Sequence, residues 1–553
     1  LPPMPIAFID GREIEFGDAE RLNGIQAARR AGVEIPHYCW HPGLTVVGSC
    51  RMCLVEVGMR DAKSGKVTML PKLMPACNTP VRDGTVLVTN SEKIARSRAM
   101  VEEDLLLRHP IDCPICDKAG ECFLQDYHFQ YGQKERRADI RPFTSRRRDV
   151  GPNVTLFVDR CVMCSRCVRF CREISGTGEL MVAHRGAHEE IDVLPGFPLD
   201  NKLSGNVVDL CPVGALGDKE FLYRQRVWYL KSHAGVCTRC ATGCSIRIEE
   251  NQDRVWRIRP RENPLVNQWW ICNDGRYDYP HIHDPRRLAS PWCNDAGNRV
   301  ALDWSSLRSE LTSALERAGH LAAVVSPFLT VEEAYLLCKL VRQHDAKAEI
   351  VLGPAPVVGT DERFPSGFTI AAEKCPNRRG AEAVIARFAG KVTPFDEFLS
   401  QLKRGEMGGI WVSGGYRADW ISPSAADRLA AAGLVILQDL FPSPLSERAN
   451  YVLPGAAFPE RDGSYVNRDD HLQSMRWAIR PPRGVRPEGS LLWELCGYQG
   501  LYQSRQILSE VAAEVGYFHA AGGEIPDVGV NLKVNLLAED VKPKAQSGAD
   551  RIA

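Results

Sequence analysis

Sixteen of the 20 cysteines in this 553-residue chain fall within its first 272 residues. Fifteen of them sort, with one histidine, into four sets with metal-ligand spacing: Cys39/Cys50/Cys53/Cys77, His109/Cys113/Cys116/Cys122, Cys161/Cys164/Cys167/Cys211 and Cys237/Cys240/Cys244/Cys272. Ligand bonds can hold a segment together where its apolar core is small. The front half of the chain therefore need not build one large core. Four soft-ligand sites in a row point to a protein that carries electrons along a line of clusters.

The alternative use of so many cysteines is disulfide bonding. Disulfide-dense proteins are small secreted domains short of a core, whereas 553 residues suffice for three to five domains. The N-terminal LPPMPIAFIDGREIEF has no basic segment ahead of an apolar one, so a secretory signal is not expected. Spacings of the Cys-x-x-Cys type favour metal ligation in a reducing compartment. Lys+Arg and Asp+Glu balance at 69 each, which removes any whole-chain argument for nucleic acid or membrane binding. No run approaches 18 apolar residues, so no transmembrane helix is expected.

Local pattern divides the chain. In IAFIDGREIEF the Asp10-Gly11 pair between apolar runs predicts a hairpin. RLNGIQAARRAGVEIP predicts a short helix ending at Gly32, and residues 91–107 predict one with Ile94, Arg98, Val101 and Leu105 on its inner face. From about 109 to 290 periodicity is weak. Beyond that, Trp304, Leu307, Leu311 and Leu315 mark an amphipathic helix, followed by a strand at 321–326. VEEAYLLCKLVRQ, AEIVLG, GGIWVSGG and LVILQDL continue the alternation of helix and strand. Such alternation predicts an α/β domain with a mostly parallel sheet. Arg146-Arg147-Arg148 reads as a solvated loop, with a partner-contact role as the alternative, and the polar tail after about residue 540 as disordered.

Each quartet has its own chemistry. The first, C-x10-C-x2-C-x23-C, suits a binuclear cluster in which each iron takes two sulfurs. Its intervening GLTVVGS loop is small enough for backbone N–H groups to approach sulfur. In the second, an imidazole replaces one thiolate and leaves a less negative cluster of higher potential. The third combines the tight C-x2-C-x2-C of RCVMCSRCVRFC with the distant Cys211-Pro212. Cys171 completes a local C-x3-C, but Arg172 follows it where proline is expected, so Cys171 reads as a buried thiol. It also stands as the alternative to His109 at the second site. The fourth, C-x2-C-x3-C-x27-C, leaves room for strands between its last two ligands. Structural zinc, held by four cysteines or by three with a histidine, is the competing reading at the first and second sites. Of the rest, Cys338 reads as a core residue on a helix, and Cys293, Cys375 and Cys496 show no ligand spacing.

Together these motifs resemble the large iron–sulfur subunit of bacterial NADH:quinone oxidoreductase, respiratory complex I. The likeness runs to about residue 286 at all four quartets. It continues more weakly in LVILQDLFPSPLSERANYVLPGAAFPERDGSYVNRDDHLQ, which resembles the late part of the molybdopterin oxidoreductase fold. The resemblance implies a multidomain α+β and α/β fold. Its parts would be a 2Fe–2S ferredoxin-like β-grasp domain (1–85), a 4Fe–4S domain with one histidine and three cysteine ligands (86–130), a 4Fe–4S ferredoxin-like domain (131–228), a 4Fe–4S domain of molybdopterin oxidoreductase type (229–286) and a degenerate molybdopterin-oxidoreductase-like α/β domain (287–553). It further implies one 2Fe–2S and three 4Fe–4S clusters, with no catalytic residue on this chain. Its implied partners are a flavin-bearing, NADH-oxidising subunit, a two-cluster ferredoxin-like subunit and other peripheral-arm subunits. The implied place is the cytoplasmic side of a bacterial inner membrane, peripheral to it. Many relatives lack the fourth cluster, so its ligands favour a bacterial source.

No G-x-G-x-x-G follows a strand, which leaves nicotinamide chemistry to another chain. [FeFe] hydrogenases resemble the first three quartets, but no further cysteine-rich motif follows here. An NAD-linked formate dehydrogenase large subunit, with a pterin-bound metal, is the alternative function. It requires a Cys, Ser or selenocysteine ligand some tens of residues past the fourth quartet. The only cysteine at 287–330 is Cys293, expected in a loop too close to Cys272. The expectation is therefore a domain without molybdopterin.

Overall fold

The computed structural model describes residues 4–533 apart from Lys134, Arg136, Ala187, Ala296, Gly297 and Ala418. The tail after about residue 540 lies outside the described residues. The chain forms two compact units, Leu1–Leu230 with Phe364–Gly367, and Lys231–Arg363 with Phe368–Ala553.

In the first unit the expected hairpin joins strands Ile6–Ile9 and Arg12–Glu15, with Ile9 opposite Arg12. Asp10 (φ 47°) and Gly11 (φ 80°) both take the left-handed conformation that a two-residue turn of this hand requires. Ile6–Ile9 also pairs in parallel with Thr85–Val88, which pairs antiparallel with Leu54–Arg60. Helix Gly24–Arg30 starts at a capping box between Asn23 and Gln26. It buries Ile25, Ala27 and Ala28 with Ile9, Val55 and Leu87. Cys53 and Cys77 belong to the same core. A mixed sheet grasping one helix is the ferredoxin-like arrangement that the sequence led us to expect.

Helix Glu92–Leu106 is capped by Ser91. Its buried stripe is Ile94, Arg98, Ala99 and Glu102, rotated from the expected face, so that Val101 and Leu105 are only half-buried. Tertiary partners cause the rotation: Tyr38 donates a 2.5 Å hydrogen bond to Glu102, and Arg98 lies over the Tyr131 ring at 5.0 Å.

The arginine run is solvent-exposed at Arg146 and Arg147 as expected, but it is not a loop. Arg147–Asp149 is a strand paired with Val154–Phe157. Arg146 pairs with Asp159 at 2.9 Å and Glu190 at 3.1 Å, and Arg148 with Glu190 and Asp192. Those carboxylates come from distant segments, which local patterning cannot foresee.

In the second unit, strands Lys231–Val236, Ser245–Asn251 and Arg254–Pro260 form an antiparallel sheet. Two of them lie between Cys244 and Cys272, as the long interval anticipated. An eight-stranded sheet follows. Its strands Leu321–Val325, Glu349–Leu352, Gly409–Ser413, Leu434–Asp439 and Tyr451–Pro454 run parallel to one another. Along Leu321–Val325, residues 321, 323 and 325 face one apolar core and 322 and 324 the other. A sheet buried on both faces explains why these strands read as unbroken apolar runs. Cys338 packs in the first of those cores, as expected. Cys293 lies in the strand Trp292–Asp295, paired antiparallel on both sides, not in a loop.

Candidate metal centres

All 20 cysteines are free thiols. In the first quartet they meet as two hydrogen-bonded pairs, Cys39 with Cys50 and Cys53 with Cys77, the second pair feeling the charge of the first. The bond from Cys50 lowers the Cys39 thiol to about 5, and the bond from Cys53 lowers that of Cys77. One thiolate is thus favoured in each pair, and the thiolate is the ligating form. Arg51, between Cys50 and Cys53, adopts a left-handed φ of 59°.

The third quartet is the most clearly enclosed. Cys161, Cys164, Cys167 and Cys211 line one cavity with Leu156, Ile191 and Val213. Burial raises the Cys164 thiol to about 11, with the charge of Cys211 adding to it. Met163 (φ 49°) and Ser165 (φ 55°) are both left-handed, and the Met163 N–H donates to Cys161 Sγ at 3.4 Å. Non-glycine residues in that region are uncommon and mark loops bent to a purpose. Cys171 is buried, and its thiol donates to Glu179.

In the fourth quartet, Cys237, Cys240, Cys244 and Cys272 lie within electrostatic range of one another. The Gly275 N–H donates to Cys272 Sγ at 3.3 Å. A Cβ on Gly275 would stand 2.9 Å from Cys237 Sγ.

The second quartet is looser. Cys116 lies near Cys113 and Cys122 near Cys116, while Cys113 is exposed. Gly214 closes over it: a Cβ there would meet Cys116 Sγ at 2.2 Å. His109 has Arg160 and Asp112 as charged neighbours, and Arg160 also acts on Cys116. Burial first, then Arg160, hold the imidazole down to about 4, so it stays neutral, the form that binds metal.

Among the described residues no three His, Cys, Asp or Glu side chains gather as a site for a lone ion. The fit of a metal group rests instead on the soft donor set, the strained loops between donors, and the glycines that leave room at sulfur. On those grounds the four quartets suit iron–sulfur clusters. The C-terminal cysteines do not suit a pterin-bound metal. Cys338 is core, Cys375 donates to Glu373, Cys496 donates to the Leu336 carbonyl, and Cys293 sits in a strand paired on both sides.

Sequence reasoning overlooked Gly214, Gly275 and the arginines Arg160, Arg166 and Arg169. The last two were visible inside RCVMCSRCVRFC, but nothing local told which way they point.

Family models match along the chain in the same order as the quartets. The 2Fe-2S iron-sulfur cluster binding domain matches residues 6–92, and the NADH-ubiquinone oxidoreductase-G iron-sulfur binding region matches 98–137. The ferredoxin-like domain of NADH-quinone oxidoreductase subunit 3 matches 151–217. The molybdopterin oxidoreductase Fe4S4 domain matches 230–284, and molybdopterin oxidoreductase 381–498. The NADH-quinone oxidoreductase G subunit of Rickettsia felis is 36% identical over 337 residues, 61% of this chain and 48% of that protein. The NADH-ubiquinone oxidoreductase 75 kDa subunit of Reclinomonas americana is 35% identical over 343 residues, 62% of this chain and 48% of its own. A solved chain of NAD+-reducing [NiFe]-hydrogenase in the H2-reduced state is 27% identical, with a TM-score of 0.33, covering 40% of this chain and 91% of that one. The chain spans about half the length of the curated relatives it matches. No helix among the described residues is long and apolar enough to cross a membrane. Over about 60% of its length the chain is similar to the G subunit of NADH-quinone oxidoreductase and the 75 kDa subunit of NADH-ubiquinone oxidoreductase, and it carries 2Fe-2S, 4Fe-4S and molybdopterin-oxidoreductase domains.

Proposed function

We propose that this chain is an electron-transfer subunit of an NADH:quinone oxidoreductase. Cys39, Cys50, Cys53 and Cys77 hold a binuclear cluster. Tetranuclear clusters are held by His109 with Cys113, Cys116 and Cys122, by Cys161, Cys164, Cys167 and Cys211, and by Cys237, Cys240, Cys244 and Cys272. When bound, these clusters supply one-electron carriers. The chain's own residues do the rest: they bury the carriers, point N–H groups at sulfur and choose imidazole or thiolate at one corner. Electrons enter from a flavin-bearing, NADH-oxidising partner and leave to a two-cluster ferredoxin-like partner on the way to quinone. The assembly lies on the cytoplasmic side of a bacterial inner membrane.

The observation that carries this reading is the third quartet, four cysteines around one apolar cavity with two left-handed residues in their loop. Iron and acid-labile sulfide analysis with EPR on the reconstituted chain tests it. The expected content is about 14 irons, with one binuclear signal. A colourless zinc protein without labile sulfide would overturn it.

The molybdopterin oxidoreductase match at 381–498 favours a second reading, the large subunit of an NAD-linked formate dehydrogenase. Stoichiometric molybdenum or tungsten with pterin fluorescence would establish that reading in place of the first.

A further inference from the structure

Helix Arg166–Glu173 carries Cys167, and three of its other residues, at i, i+3 and i+7, reach one loop of the N-terminal sheet module. Arg166 donates to the Trp40 carbonyl at 2.6 Å and to the Leu210 carbonyl at 3.2 Å. Arg169 donates to the carbonyls of Cys39 and Thr45, and to that of Cys164 at 3.2 Å. Glu173 accepts from the Thr45 N–H at 2.8 Å and from its hydroxyl at 2.5 Å. Helical spacing places all three on one face, and the planar guanidinium offers rigidly forked donors that can hold several carbonyls at once.

Arg169 is therefore tied to the backbone of one cysteine from each of two quartets, Cys39 and Cys164. It is 8% exposed, and Arg166 is 4% exposed. Both guanidiniums act electrostatically on the Cys164 sulfur. Arg169's hydrogen bonds go to carbonyls and the Ser165 hydroxyl. The acid on the same face, Glu173, sits one turn away and is engaged by Thr45.

We propose that Arg169 is a positioning residue for electron transfer between the first and third quartets, bridging Cys39 and Cys164 through one guanidinium and biasing both centres toward their reduced forms. The proposal rests on the cluster-ligand reading above. Reduction adds negative charge to a centre, and a buried cation nearby stabilises it. Removing that cation lowers each reduction equilibrium constant on the order of tenfold, about 59 mV for a one-electron couple.

The test is an EPR-monitored redox titration of the full 553-residue chain, reconstituted with iron and sulfide, in Arg169→Gln, Arg169→Lys and Glu173→Gln forms, with iron content measured on each. In Arg169→Gln the potentials of the binuclear centre and of the third-quartet centre fall. Arg169→Lys keeps the charge and stays near wild type. Glu173→Gln removes a negative charge beside Thr45 and raises the binuclear potential. A purely structural role would shift the glutamine variants in the same direction or not at all, and either result overturns the proposal. If Arg169→Gln does not retain iron, the other two variants decide: a lowered Arg169→Lys potential, or a Glu173→Gln potential that does not rise, overturns it. A wild-type chain that takes up no iron overturns the ligand assignment itself, an outcome distinct from iron-replete variants with unchanged potentials.

Discussion

Arg287 and Glu460 form a forked ion pair, with both N···O distances at 2.7 Å and side chains 5% and 2% exposed. Glu460 lies in the LPGAAFPERDGSYVN segment, part of the stretch that resembles the late part of the molybdopterin oxidoreductase fold. Its neighbour Arg461 is likewise taken, by Glu333 at 2.9 Å and Glu488 at 3.1 Å. Both of these charged residues thus hold the fold. Breaking a buried pair from one side strands a charge, at about 3–5 kcal/mol. Arg287→Met is expected to lose that much stability in urea unfolding followed by tryptophan fluorescence. Arg287→Met with Glu460→Met is expected to recover most of it.

Glu332 gives the second unit a pH dependence. It is fully buried beside the Ser464 N–H, which donates to it at 2.8 Å, and burial raises its carboxyl to about 7. Below about 4.5 folded and unfolded chains both hold this proton. Between that and about 7 only the folded chain does, so this group's stabilisation is lost as pH rises through that window. Glu488 is raised to about 7 and Asp439 to about 6, both by burial first, with the same sign. The urea midpoint is expected to be higher at pH 5 than at pH 8, and Glu332→Gln to shrink that difference. An unchanged difference would remove Glu332 from the account.

The parts legible in the sequence were those set by short spacing. Asp10-Gly11 announced its turn, and the run Leu321–Val325 announced a strand buried on both sides. The failures share a cause. Arg146 and Arg148 became structured because Asp159, Glu190 and Asp192 come from elsewhere, and the inner face of Glu92–Leu106 turned toward Tyr38 and Tyr131. Both depend on partners many residues away. Gly214 is illegible for the same reason, since its need for a bare Cα comes from Cys116.

That glycine makes a sharp prediction about the second site. A methyl group on Gly214 would stand 2.2 Å from Cys116 Sγ, too close for either atom to stay in place. Gly214→Ala is expected to lose about four irons, with the other centres' EPR signals intact. Gly516→Ala is the control, because a Cβ there meets nothing within 4 Å. Full iron content in Gly214→Ala would show that Cys116 is not a ligand or can move freely.

His109, the proposed imidazole ligand of the second site, is the position with the largest expected effect on potential. The structure holds its imidazole neutral through burial and the nearby Arg160, which Asp112 pairs at 2.8 Å. A neutral donor leaves its centre one negative charge short of a four-thiolate site, and less negative clusters accept an electron more readily. His109→Cys restores that charge. The variant is expected to keep its iron while the second centre's potential falls, on the order of 100 mV, in an EPR-monitored titration. Cys171, the other candidate for that position, is engaged with Glu179, so Cys171→Ser is expected to leave both iron content and potential near wild type. The reverse pattern, in which Cys171→Ser loses a centre and His109→Cys changes nothing, would transfer the fourth ligand from His109 to Cys171.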